Sequence, residues 1–126
     1  MHLKRILLIC GILATTVQCS SPETKPYFFI QMADPQFGMI DGDEDFAKET
    51  VLFTTAIEHA NRLMPAYIVI CGDLINRPGD EAQRDEFLRI LSLLDKTISI
   101  YLVAGNHDVR NEPTPESILW YKDRLS

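Results

Sequence analysis

Three short motifs in this 126-residue chain combine groups that can hold a metal or move a proton: Asp34-Pro35-Gln36, Gly72-Asp73 with Asn76, and Asn106-His107-Asp108. Each follows a largely apolar run, and no Lys or Arg interrupts any of the three. Carboxylates brought together without a cation between them repel one another, and a divalent ion would neutralise them. Oxygen and imidazole donors suit a hard or borderline metal. A central carboxylate can bridge two metals about 3.5–4 Å apart, an arrangement that hydrolyses phosphate esters. Taken singly, each Asp is more often a helix or turn cap. What raises them above caps is their recurrence after three successive strands.

The elements that must position these groups alternate along the chain. Residues 27–32, 66–71 and 98–103 are largely apolar runs rich in aromatic and β-branched side chains, and they read as strands. Between them, Phe46, Phe53, Ile57 and Ala60 recur at near-helical spacing until Pro65, and Phe87, Ile90, Leu91 and Leu94 share one face of a helix over 80–95. Residues 41–45 form an acidic loop whose carboxylates suit the positive end of the first helix. Thr114-Pro115 reads as an N-cap followed by a first-turn proline, opening a last helix over 117–124. Strands without polar alternation are expected to be buried on both faces, which argues for a parallel sheet covered by helices. The order β-α-β-α-β-α gives an α/β sandwich or its first half. In such sheets ligands bind at the carboxyl ends of the strands, where all three motifs fall.

At these positions the chain resembles a known family. Asp34-Pro35-Gln36, Gly72-Asp73-Leu74-Ile75-Asn76 and Gly105-Asn106-His107-Asp108 look like the first three motifs of the calcineurin-like metallophosphoesterases. The stretch 28–38 resembles more narrowly the CPPED-type subgroup, serine/threonine phosphatases with a calcineurin-like phosphoesterase domain. The resemblance covers residues 27–125 and implies the N-terminal β-α-β-α-β half of that family's α/β sandwich. It also implies two divalent metal ions (Mn, Fe or Zn) and a phosphate mono- or diester substrate. Carried over residue by residue, Asp34 and Gln36 would ligate the first metal and Asp73 would bridge both. Asn106 would bind the second metal and the phosphate. His107 would contact the phosphate or protonate the leaving oxygen, with Asp108 orienting it. A hydroxide bridging the metals would attack phosphorus in line. Two departures matter. Most members have His where Gln36 stands, although the narrower subgroup shares the Gln. The family's later histidines, including a Gly-His-x-His motif, have no counterpart, because no histidine follows His107. The expectation is therefore an N-terminal portion over 27–126, weakly active or inactive on its own.

The first residues have the grammar of a secretory signal. Lys4 and Arg5 precede an uncharged apolar core of 12 residues, 6–17. That core is shorter than the roughly 20 residues that cross a bilayer. Cys19 stands where a bacterial lipoprotein signal places its lipidated cysteine, with residues 20–26 as a polar linker. Gln18 occupies the position where a small residue is usual, so ordinary cleavage nearby is the alternative. The expectation is a leader over 1–19 and export to the cell envelope or periplasm, with or without a membrane tether through a lipid on Cys19. The chain carries 12 basic against 18 acidic side chains. Removing the leader with Lys4 and Arg5 leaves a formal charge of −8. Such a surface repels nucleic acid, which needs Lys and Arg to displace counterions. Composition and spacing leave the oligomeric state open.

Competing chemistries are weaker. Cys71 and Arg77 have the spacing of a cysteine-dependent phosphatase loop, but Asp73 would put a carboxylate inside the phosphate cradle. Residues 41–45 invite a calcium-loop reading, yet Phe46 and Leu52 stand where an EF-hand needs Gly and Glu. His59 reads as exposed on a helix. The non-enzymatic alternatives are an exported α/β binding domain using the same strand ends, and a vestigial fragment.

Overall fold

The computed structural model describes residues 26–125. The expected leader and Cys19, with most of the expected linker, lie outside that range. The elements run β1 (Ile30–Ala33), α1 (Ala47–Leu63), β2 (Tyr67–Cys71), α2 (Glu81–Leu91), β3 (Ser99–Val103), α3 (Asn106–Val109) and α4 (Pro115–Arg124). The strands form one parallel sheet in the order β1-β2-β3. This is the α/β class expected from the alternation of apolar runs and amphipathic stretches. Among the described residues no helix is long and apolar enough to cross a membrane.

Local chemistry fixes the ends of the helices. Asp80 caps α2 by accepting from the N–H groups of Ala82 and Gln83, both at 3.1 Å. Thr114 caps α4 by accepting from the Ser117 N–H, with Pro115 in the first turn as the sequence suggests. Helix α1 stops where Met64 turns left-handed at φ 51°, just before the buried Pro65. The Gly-Asn-His-Asp stretch, expected only to end a strand, winds into the single helical turn α3.

The core lies between one face of the sheet and helices α1 and α2. Ile68 and Ile70 of β2 are fully buried there with Phe53, Ile57 and Ala60 of α1 and Phe87 and Ile90 of α2. Phe37, just past β1, sits at the centre, edge-on to Phe53 and Phe87 at 5.9 and 6.1 Å, while those two rings stack at 5.3 Å. The other face is uncovered among the described residues, contrary to the expectation of strands buried on both sides. Tyr101 and Val103 on it are half-exposed, and Phe29, Tyr67 and Tyr101 form an aromatic ladder. A run without polar alternation shows only that both faces of the strand are apolar.

Candidate functional site

The register of the sheet brings the three motifs to one edge. Ala33 pairs with Cys71 and Cys71 with Val103, so the three strands end level. Asp34, Gly72-Asp73 and Ala104-Gly105-Asn106 leave the sheet side by side. Beyond the strands the first two segments stay together. Gln36 N–H donates to the Asp73 carbonyl at 2.9 Å, and Phe37 bridges Ile75 in parallel. Asp34, Gln36 and Asp73 all take left-handed backbone angles (φ 52°, 36° and 47°). Three non-glycine residues in that region within two adjacent turns are costly, on the order of 1–3 kcal/mol each.

Asp73 and α3 are locked together. The His107 N–H donates to Asp73 Oδ1 at 2.8 Å. A Cβ on Gly105 would overlap Asp73 N and Oδ1, so only glycine lets the third motif approach the second. The ring of His107 is fixed from behind by its Nδ1, 2.7 Å from the Asn76 carbonyl. A carbonyl only accepts, so Nδ1 carries the proton and Nε2 is left for chemistry.

Asp108 has a different place from the one expected. It is 1% exposed, and its carboxylate accepts from Leu74 N and Ile75 N through Oδ1 (2.9 and 3.2 Å) and from Gly105 N through Oδ2 (2.8 Å). Burial pushes its carboxyl above the usual carboxylate range, the three N–H groups pull it back, and the Asp73 charge pushes it up again. Asp108 therefore ties the second and third motifs together, while the orienting contact on His107 comes from the Asn76 carbonyl. Next to it, the Tyr121 hydroxyl is buried without a partner, and burial and the Asp108 charge push its pKa up to about 12.

Asp43, placed by its sequence in a solvated acidic loop, faces inward instead. Its Oδ1 accepts from Asn76 Nδ2 at 2.9 Å and Gln83 Nε2 at 2.7 Å, and these bonds, with Asn76 first, hold its carboxyl below the usual range. Asn76 Oδ1 in turn accepts from Gln36 Nε2 at 3.2 Å. Gly38, at φ 98°, leaves the room that the Gln83 and Asp43 side chains fill. Its neighbours in the loop behave as expected: Asp45 caps Ala47 N at 3.0 Å and Asp41 pairs with Lys48 at 2.7 Å. Glu49 is a second inward carboxylate that the sequence does not flag. It accepts from Ile40 N at 2.8 Å and lines a cavity of about 350 Å³ with Asp34 and Gln36.

The cysteine-loop alternative fails on its backbone. The N–H groups that would cradle a phosphate are occupied: Gly72 N by Val103 O, Leu74 N and Ile75 N by Asp108, and Asn76 N and Arg77 N by Gln83 Oε1. His59 is exposed on α1, as its position suggests.

The edge thus carries Asp34, Gln36, Asp73 and Asn106, whose side chains contain oxygen atoms, with His107 next in the chain. That donor chemistry fits a divalent cation. No three His, Cys, Asp or Glu side chains gather as a metal-holding group among the described residues. Residues 29–125 match the calcineurin-like phosphoesterase family. The chain is similar to the serine/threonine-protein phosphatase CPPED1 of Bos taurus, 39% identical over 108 residues, covering 74% of this chain and 34% of that protein. Similarity to the Homo sapiens CPPED1 is 36% over the same shares. The chain therefore spans about a third of the length of the curated relatives it matches. In fold it is similar to the crystal structure of a dimetal phosphatase from Danio rerio, with a TM-score of 0.54 and 23% identity over 80% of this chain and 35% of that one.

Proposed function

Because the chain belongs to the calcineurin-like phosphoesterase family, we propose that it carries the first half of a dinuclear metal centre that hydrolyses phosphate mono- or diesters in the complete protein. The observation that carries this reading is the level ending of β1, β2 and β3, which puts Asp34, Asp73 and Asn106 on one edge. The similarity to CPPED1 phosphatases supports a phosphorylated protein as one substrate class.

Asp34 and Gln36 would hold one divalent ion, Asn106 a second, and Asp73 would stand between them. When bound, the ions supply Lewis-acid polarisation of the phosphoryl group and activation of water at neutral pH. The remaining steps belong to the chain. Asp73 keeps one carboxylate oxygen on the His107 N–H, and this fixes the angle at which it meets the centre. His107, held at Nδ1 by Asn76, offers Nε2 to the substrate. In its protonated form Nε2–H donates to a phosphoryl oxygen or to the departing alkoxide, and the fixed tautomer saves reorientation during the reaction. The exposed side chain of Asn106 at the start of α3 is accessible to a substrate phosphate.

Further donors would come from a segment matching the two-thirds of the relatives' length that this chain does not cover. We also propose export to the cell envelope, supported by Lys4, Arg5 and the uncharged run 6–17, with Cys19 as the candidate site for a lipid. The test of the catalytic reading is Asp73→Asn in the complete protein. Hydrolysis of a model phosphate ester should be lost while the protein stays folded; wild-type turnover in that variant would dismiss the reading.

A further inference from the structure

Gln36 is an amide where a metal ligand is expected, and an amide has two unlike ends. Its oxygen can ligate a cation and its NH2 cannot. Something must decide which end faces the strand edge. The decision is made two hydrogen bonds away. Asp43 Oδ1 sits 2.9 Å from the Asn76 side chain, and a carboxylate only accepts, so Asn76 must present its NH2 there. Asn76 then has only its oxygen to turn toward Gln36, 3.2 Å away. Gln36 must answer with its NH2, and its carbonyl oxygen is the end left over. Gln83 reinforces the arrangement. Its Oε1 receives Asn76 N at 3.1 Å and Arg77 N at 3.0 Å, so its NH2 also points at Asp43, at 2.7 Å. Every polar atom in the chain has one permitted role once Asp43 is ionised, and its carboxyl is held below the usual range.

We propose that Asp43 is a positioning residue that sets the polarity of the relay Asp43–Asn76–Gln36, so that Gln36 offers its carbonyl oxygen to the divalent ion. The proposal rests on the metal-centre reading above and assigns a role to a loop acid that the three motifs do not contain. It also accounts for Gly38, whose missing Cβ leaves room for the Asp43–Gln83 pair.

The test is calorimetric titration of the complete protein with Mn2+, which reads metal binding without reference to turnover. Asp43→Gly removes the oxygen on which both amides converge and suits the left-handed backbone there (φ 67°). A Mn2+ affinity about tenfold weaker is expected, as for other outer partners of metal ligands. The decisive comparison is the same substitution in a Gln36→Glu background. A carboxylate has oxygen at both ends, and Asp43 forces the Asn76 oxygen against it. There, Asp43→Gly should leave affinity unchanged or improve it. Equal weakening in both backgrounds would make Asp43 a brace for its loop and overturn the proposal, as would no weakening in either. If Asp43→Gly does not fold, Asn76→Ala removes the relay while keeping the Asp43–Gln83 bond and the main-chain contact to His107. It should weaken Mn2+ to the same extent, and unchanged affinity would overturn the proposal. Failure of the wild-type protein to bind Mn2+ at all would instead remove the metal-centre reading, and the proposal with it.

Discussion

Asp108 offers the sharpest separation between a structural and a chemical role, because its motif invites the second and its contacts show the first. Three backbone N–H groups converge on its buried carboxylate, from Leu74, Ile75 and Gly105 at 2.8–3.2 Å. Hydrogen bonds to a charged group contribute roughly 1.5–3 kcal/mol each, and an orphaned buried donor costs about 1–3 kcal/mol. Asp108→Ala orphans all three and leaves a void, so a loss of about 3–5 kcal/mol is expected. Asp108→Asn keeps one oxygen, which can stay on Leu74 N and Ile75 N, and turns an NH2 against the Gly105 N–H. One bond is lost and two donors face each other, but the variant no longer buries a charge near Asp73, so the net loss is smaller, about 1–2 kcal/mol. Urea denaturation of the complete protein reads both. At a slope of about 2 kcal/mol per molar, the alanine midpoint should fall by roughly 1.5–2.5 M and the asparagine midpoint by under about 1 M. Hydrolysis by the folded fraction of the Asn variant should stay within about tenfold of wild type (1.4 kcal/mol in barrier). An unchanged urea midpoint together with lost hydrolysis would refute the brace and return Asp108 to the chemistry.

Two further outcomes follow from the same contacts. Glu86 joins α1 to α2, accepting from Arg89 at 2.6 and 2.8 Å and from Thr50 at 2.8 Å, and the Arg89 bond holds its carboxyl below the usual 4.5. A depressed acid contributes stability above its unfolded pKa and loses it as pH falls through the folded value. Glu86→Gln should therefore cost about 1 kcal/mol at pH 7, and urea midpoints of the two proteins should converge below about pH 4. Cys71 ends β2 beside Gln31, whose amide reaches its sulfur at 3.5 Å, and the backbone that would cradle a phosphate is already bonded. Cys71→Ala should leave phosphate-ester hydrolysis unchanged; its loss would reinstate a cysteine nucleophile.

Much of the fold was legible because it rests on local signals. The apolar runs marked all three strands to within a few residues, the Phe53-Ile57-Ala60 stripe marked the buried face of α1, and Thr114-Pro115 marked the start of α4. The strand-end positions of Asp34, Asp73 and Asn106 were legible for the same reason. What escaped depended on partners distant in the chain. Nothing near Asp108 shows that its oxygens will be met by N–H groups 33 and 34 residues away. Asp43 looked like its neighbours Asp41 and Asp45, which do face solvent or cap a helix; only the pairing of the segments after β1 and β2 turns it inward. The polar residues Gln36 and Asn76, each beside a buried apolar residue, were the available hint of an amide network. The face of the sheet left uncovered among the described residues escaped because an apolar run states what a face is made of, not what lies against it.

The central claim is that these strand ends belong to a metal centre for phosphate-ester hydrolysis, and metal stoichiometry in the complete protein tests it most directly. Elemental analysis of the purified protein, paired with turnover before and after chelation, should find two divalent ions per chain. Hydrolysis should vanish on their removal and return on their addition, and Asp73→Asn should retain fewer than two. Turnover that survives complete removal of metal, or two ions bound unchanged by Asp73→Asn, would contradict it.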